Sequence, residues 1–138
     1  MRTALVFAAT ALVVSAALTA KPQKESAGAT QADRGRALYV DYCASCHGAS
    51  GRGDGPASES FRMRPADLTQ LAKQNGGVFV TDRIQRIVDG RSVKAHGSIE
   101  MPVWGDVFKR RHGLDSEGVK ARIEAIVQYL RSIQERSS

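Results

Sequence analysis

The sequence predicts an all-α domain. Apolar residues recur at helical spacing in several separate stretches, no stretch shows a sustained strand alternation, and long glycine-bearing loops join the stretches. Three or four short helices are expected. Loops this long in a compact domain usually have a reason, and wrapping a large bound group is one.

The first helix is expected from a cap at Asp33 to about Cys43, with Gly35, Leu38, Tyr39 and Tyr42 on one face. Residues 48–60 (GASGRGDGPASES) hold four glycines and a proline and read as a loop. Asp67 is expected to cap a short helix, with Gln70 completing a capping box, Leu68 and Leu71 on one side, and Asn75-Gly76-Gly77 as the stop. Thr81 reads as the cap of the next helix, Ile84, Ile87 and Val88 as its stripe, and Gly90 as its end. Residues 91–113 read as irregular. The last helix starts near Asp115 or Ser116 and carries Val119, Ile123, Ile126, Val127, Leu130 and Ile133 as its buried stripe.

These elements fall within 138 residues, a one-domain length. Residues 1–20 stand apart: Arg2 is followed by an uncharged, Ala/Val/Leu-rich run from Ala4 to Ala20. A basic start, an apolar run and small residues at its end describe a secretory signal, cut after Ala17 or Ala20. The other reading is an uncleaved membrane anchor, although a spanning helix needs roughly 20 apolar residues. Residues 21–31 are polar and aperiodic and read as a flexible linker. Residues 32–135 form the domain, whose core is modest at that size. Aromatic residues make up only 6 % of the chain, a shortage that a large planar group in the interior would relieve.

The formal net charge is +6, which favours acidic partners and salt-dependent association. Lys109-Arg110-Arg111 is the densest basic run, with no nucleic-acid motif around it, and reads as a solvated loop; nucleic acid is not expected as a partner.

Cys43-Ala44-Ser45-Cys46-His47 carries the chemistry. C-x-x-C-H is a c-type haem attachment sequence. Two thiols three residues apart can each bond one vinyl group of the same porphyrin, and the next residue places an imidazole on the iron. The competing readings are weaker. A Cys-x-x-Cys redox centre belongs with a βαβ pattern, which is not visible. Structural zinc needs four ligands, and no second paired motif supplies them. A plain disulfide gives His47 no role. One covalently attached haem c is therefore expected on Cys43, Cys46 and His47. A second axial ligand is sought elsewhere. Met101 is the first candidate, because a thioether favours ferrous iron and raises the potential. Met63, sixteen residues after His47, is the rival, with His96 and His112 behind it.

Taken in order, Gly35 and Tyr39, the CASCH motif, Pro65, Met101-Pro102 and the final amphipathic helix resemble the class I c-type cytochromes over most of residues 32–135; GRGDGPA and MPVWG are similar to bacterial members. The resemblance implies a small cytochrome c-type fold in which the first and last helices cross, with Gly35 near Ile126, Tyr129 or Leu130. It also implies that the Pro65 carbonyl accepts a hydrogen bond from His47 Nδ1–H, a bond that fixes a ligating ring; Pro65 alternatively only breaks the chain. Trp104 either packs at the haem edge with its N–H toward a propionate or is ordinary core. Arg62, Arg64 and Arg91 are candidates to neutralise propionates. Residues 72–90 depart from the long helical connection of mitochondrial-type members.

Three functions follow. The first is a periplasmic monohaem electron carrier, membrane-bound only if residues 4–20 remain uncleaved, exchanging electrons with redox partner proteins that have acidic docking surfaces. The second is a cytochrome subunit of a larger dehydrogenase or oxidase. The third is a haem enzyme or gas sensor with an open iron position, which requires Met101 not to bind and His96 to act as acid–base group. The first reading, a carrier and not an enzyme, is the expectation.

Overall fold

The structure, a computed structural model, describes residues 29–92 and 101–135. The expected signal segment, most of the linker and His96 lie outside the described residues. The architecture is all-helical, and no strand occurs among the described residues.

The first helix, α1 (Gln31–Tyr42), starts two residues before the expected cap. Thr30 is the N-cap, and its hydroxyl and the Asp33 carboxylate bond reciprocally to each other's backbone N–H. Asp33 thus serves as the third residue of a capping box rather than as the cap. A single turn, α2 (Ala44–His47), follows at once. Gly48, Gly51 and Gly53 all take positive φ in the loop beyond it, a conformation suited to glycine.

Asp67 does cap a turn, but only one of 3-10 type, Leu68–Gln70. Its carboxylate accepts from Thr69 N (2.9 Å) and Thr69 Oγ1 (2.6 Å). The expected capping box does not form, because Gln70 gives its amide to Glu135 at the far end of the chain. Another 3-10 turn, Lys73–Asn75, ends at left-handed Gly76.

α3 (Thr81–Asp89) has Val80 at its N-cap, so Thr81 is its first helical residue and not its cap; Gly90 ends it in the left-handed region as expected. A further helix, α4 (Trp104–His112), replaces the irregular stretch expected there, and places Lys109, Arg110 and Arg111 in a helical last turn. Cations there oppose the negative end of the helix dipole. α5 (Ser116–Ser132) starts at the expected place, with Asp115 accepting from Gly118 N at 2.8 Å.

α1 crosses α5 at the centre of the molecule. A Cβ on Gly35 would overlap the Ala125 carbonyl and stand 3.0 Å from Tyr129 Cβ, so the two backbones touch where the glycine sits. Tyr39 packs against Tyr129 with the rings tilted and their centroids 5.0 Å apart. Val119, Ile123, Ile126, Val127 and Leu130 of α5 are buried against Tyr39, Val88 of α3 and Phe108 of α4, whereas Ile133, the last residue of the expected stripe, is the C-cap beyond α5 and only partly buried. This frame holds α1, α3, α4 and α5 around an apolar cavity.

Candidate haem-binding site

The CASCH segment sits at the junction of α1 and α2. Cys43 caps α1, its N–H donating to Tyr39 O at 2.8 Å, and its carbonyl accepts from Cys46 N (3.2 Å) and His47 N (2.9 Å). The turn therefore brings Cys43, Cys46 and His47 to one wall of the cavity. Tyr39 O–H donates to the carbonyl of Gly48 at 2.7 Å and pins the chain just after His47. Gly53 N donates to His47 O at 2.8 Å from the other side.

The two thiols are not bonded to each other. Burial, reinforced by the neighbouring Cys46, pushes the Cys43 thiol up to about 12. Burial thus disfavours the thiolate form at Cys43.

His47 Nδ1 lies 3.1 Å from the carbonyl oxygen of Ala66. A carbonyl can only accept, so Nδ1 carries the proton and Nε2 keeps its lone pair. Burial lowers the imidazole pKa, partly offset by this hydrogen bond, and keeps the ring neutral, the form that ligates a metal. The accepting carbonyl belongs to Ala66 and not to Pro65. The Pro65 carbonyl is turned toward Gly53, where a Cβ would overlap it, and so cannot also face His47. Pro65 itself lines the cavity.

The cavity measures about 350 Å³. Ile84, Ile87 and Val88 of α3 and Ile126 and Leu130 of α5 line it, together with Tyr42 and Trp104. Met101 and Pro102 lead into α4 along the wall; Met101 is half-buried. Met63 also reaches the cavity but is 69 % exposed. The structure thus brings both candidate thioethers to the site. His112 is not in the lining; it is hydrogen-bonded to Tyr42 on the outside of α4.

Trp104 is partly buried at the cavity rather than part of the buried core. Its ring forms part of the cavity wall and stacks on Phe108 at 5.8 Å and edge-on to Tyr42 at 5.5 Å. Of the three arginines, Arg64 lines the cavity, with Nε donating to Gly53 O at 3.0 Å. Arg91 is committed to Asp89 through two 2.7 Å bonds, and Arg62 is exposed outside the lining. Two groups were not foreseen as part of the site. The Ala66 carbonyl leaves no mark in a sequence. Tyr42 falls on a helix face in the sequence pattern, and its place beside Cys43 puts it at the cavity.

Two unpaired thiols at C-x-x-C spacing, a neutral imidazole with a free Nε2, two thioethers and an apolar wall fit a covalently held haem. Residues 30–130 match the family described as cytochrome c oxidase, cbb3-type, subunit III. No curated protein and no solved structure gives a match. The match covers most of the chain and accords with the site: the protein belongs to this family of c-type cytochromes, is an all-α cytochrome c domain that binds covalently attached haem c with its iron, and serves electron transfer.

Proposed function

We propose that this protein is an exported carrier of single electrons, with Cys43 and Cys46 holding the haem covalently and His47 and Met101 as the two axial ligands. The observation that carries the reading is the His47–Ala66 hydrogen bond, which leaves the lone pair on Nε2 of a residue that lines the same cavity as both thiols and Met101. The haem supplies one-electron exchange between ferrous and ferric iron. The polypeptide does the rest. The Ala66 carbonyl orients the His47 ring and raises its basicity. The apolar side chains of α3 and α5 exclude water and, with a thioether ligand, favour the less charged ferrous state. Met101 is preferred to Met63 because Met63 is largely exposed and lies three residues before Ala66, on the loop that supports His47 from behind. With His47 and Met101 both holding the iron, substrates would have no route to it, and the protein would set the potential and offer a docking surface.

The uncharged run after Arg2 supports export to the periplasm, with the domain released or tethered there. No helix among the described residues is long and apolar enough to cross a membrane. A second reading, a cytochrome subunit held permanently in an oxidase complex, is favoured by the family description. Gentle detergent extraction distinguishes the two: a carrier elutes alone, and a subunit elutes with its complex.

The ferric absorption spectrum tests the central reading. Wild type should be low-spin with a sulfur-to-iron band near the red end, and Met101→Ala should lose the band and turn high-spin. An unchanged spectrum in Met101→Ala, with loss in Met63→Ala, would assign the ligand to Met63. Haem that survives acid–acetone extraction from the Cys43→Ala/Cys46→Ala double variant would overturn covalent attachment at these residues.

A further inference from the structure

The last turn of α4 carries Lys109, Arg110, Arg111 and His112, all exposed. Among the described residues, only Arg110 of the four has a carboxylate partner, Asp106 at 3.9 Å. Arg122 of α5 adds a fifth basic group nearby, its guanidinium 5.6 Å from the centre of the Phe108 ring. Favourable placement at a helix C-terminus explains one or two such cations. It does not explain what His112 does. His112 Nε2 is 2.8 Å from Tyr42 O–H, and the two rings meet edge-on at 5.9 Å. Tyr42 in turn packs edge-on to Trp104 at 5.5 Å and to Phe108 at 5.2 Å. Tyr42 and Trp104 both line the cavity, and Tyr42 is bonded in sequence to Cys43. One hydrogen bond therefore separates the exposed basic turn from the cavity wall.

We propose that the last turn of α4 is a docking face for an acidic redox partner protein, joined to the haem cavity through the His112–Tyr42 contact. This rests on the carrier reading above. The partner's acidic surface meets Lys109, Arg110 and Arg111, which steer the encounter and make it salt-dependent. The transfer moves one electron between the iron and a one-electron centre of the partner; no proton moves and no bond changes at Tyr42 or His112. A protein surface suits the patch better than a lipid one. Among the described residues, the large exposed apolar side chains, Val40, Met63, Val78 and Val80, all lie on other elements, away from the charge that a bilayer-binding face would pair with them.

The test uses the reduced, haem-loaded protein, isotope-labelled for amide NMR and titrated with a deca-glutamate peptide at low and at physiological salt. Peptide-induced shifts should centre on residues 109–113, extend to the Trp104 indole N–H, and shrink with salt. Lys109→Glu/Arg111→Glu should weaken apparent peptide affinity by about tenfold or more. Tyr42→Phe keeps the ring and removes the hydroxyl; it should retain the shifts at 109–113 and lose the one at Trp104. Shifts centred on Arg62–Arg64 or Arg83–Arg86, or spread evenly, would overturn the docking face. Binding to phosphatidylglycerol vesicles without peptide binding would overturn the acidic protein partner in favour of a membrane. A Trp104 shift that persists in Tyr42→Phe would overturn the His112–Tyr42 link. The absorption spectrum separates the two readings: a low-spin protein without peptide shifts loses only the docking face, and a high-spin wild type loses the carrier reading itself.

Discussion

Gln134, just beyond α5, holds the peptide of Leu68 in the loop beside the haem cavity: its Nε2 donates to Leu68 O at 2.7 Å while its Oε1 accepts from Ala72 N at 2.8 Å. Glu135 N adds a bond to Thr69 O at 2.9 Å. Leu68 N is meanwhile bound to Gly51 O at 2.7 Å. The loop that presents Ala66 to His47 is thus fastened on one side to the glycine loop and on the other to the chain's last described residues.

Replacing Gln134 with Ala should release that clasp. It strands a carbonyl and an N–H that are partly buried, at a cost of about 1–3 kcal/mol. The thermal midpoint of the haem-loaded protein should fall accordingly. Because Ala66 is two residues from Leu68, the midpoint potential should also shift, whereas Gln→Ala at exposed Gln31, remote in the chain, should move neither.

Gly53→Ala should strike the same loop from the opposite side. Gly53 has a φ of +74°, and a Cβ there would overlap the Pro65 carbonyl. The backbone conformation alone costs an alanine about 1 kcal/mol or more. Relief of the overlap must move residues 65–66, and with them the hydrogen bond to His47. Chemical denaturation should show a loss of about 2 kcal/mol or more, given backbone strain plus overpacking. Histidine-ring NMR signals of the reduced protein should move as well. Stability loss without any change at His47 would show that the loop yields elsewhere.

Gly35→Ala tests the helix crossing. The added methyl would meet the Ala125 carbonyl, a backbone atom that cannot rotate away, so α1 and α5 must separate. Overpacking of this kind costs about 1–3 kcal/mol, more than the helix propensity gained by replacing glycine. Denaturant unfolding should report the net loss. The neighbouring exposed position Arg36→Ala should stay close to wild type.

What could be read in advance was local. α5 was legible because seventeen residues carry a regular apolar stripe behind an Asp cap, and both signals act within a few residues of one another. The CASCH turn was legible for the same reason. α4 was not: only Trp104, Val107 and Phe108 mark its buried side, Gly105 interrupts it, and its end is a run of cations. Gly105 is there for a tertiary reason, since a Cβ would meet the paired Asp89 and Arg91 side chains. Gln70 fits a capping box in sequence, yet long-range pairing with Glu135 takes its amide. Pro65 and Ala66 offer chemically identical carbonyls, and only the folded loop shows that the first lies against Gly53 and the second faces His47. Met63 and Met101 both reach the cavity, because loops distant in sequence close over it together.

The Asp89–Arg91 pair predicts a specific acid sensitivity. Hydrogen bonds from Arg91, against a smaller opposing effect of burial, hold the Asp89 carboxyl below its ordinary 3.8. A carboxyl depressed in the folded state contributes stability above its unfolded pKa and loses it as pH falls through the lower folded value. The pair sits where α3 ends at left-handed Gly90 and abuts Gly105 of α4, so its loss should loosen the α3–α4 junction on the cavity wall. Asp89→Asn should lower the thermal midpoint of the haem-loaded protein at pH 7, by an amount corresponding to about 1 kcal/mol for a half-exposed pair. The gap between wild type and variant should close as pH drops below 4, because the wild-type carboxyl is then being protonated as well. A gap that stays constant down to pH 2.5 would show that Asp89 acts through shape and not through its charge.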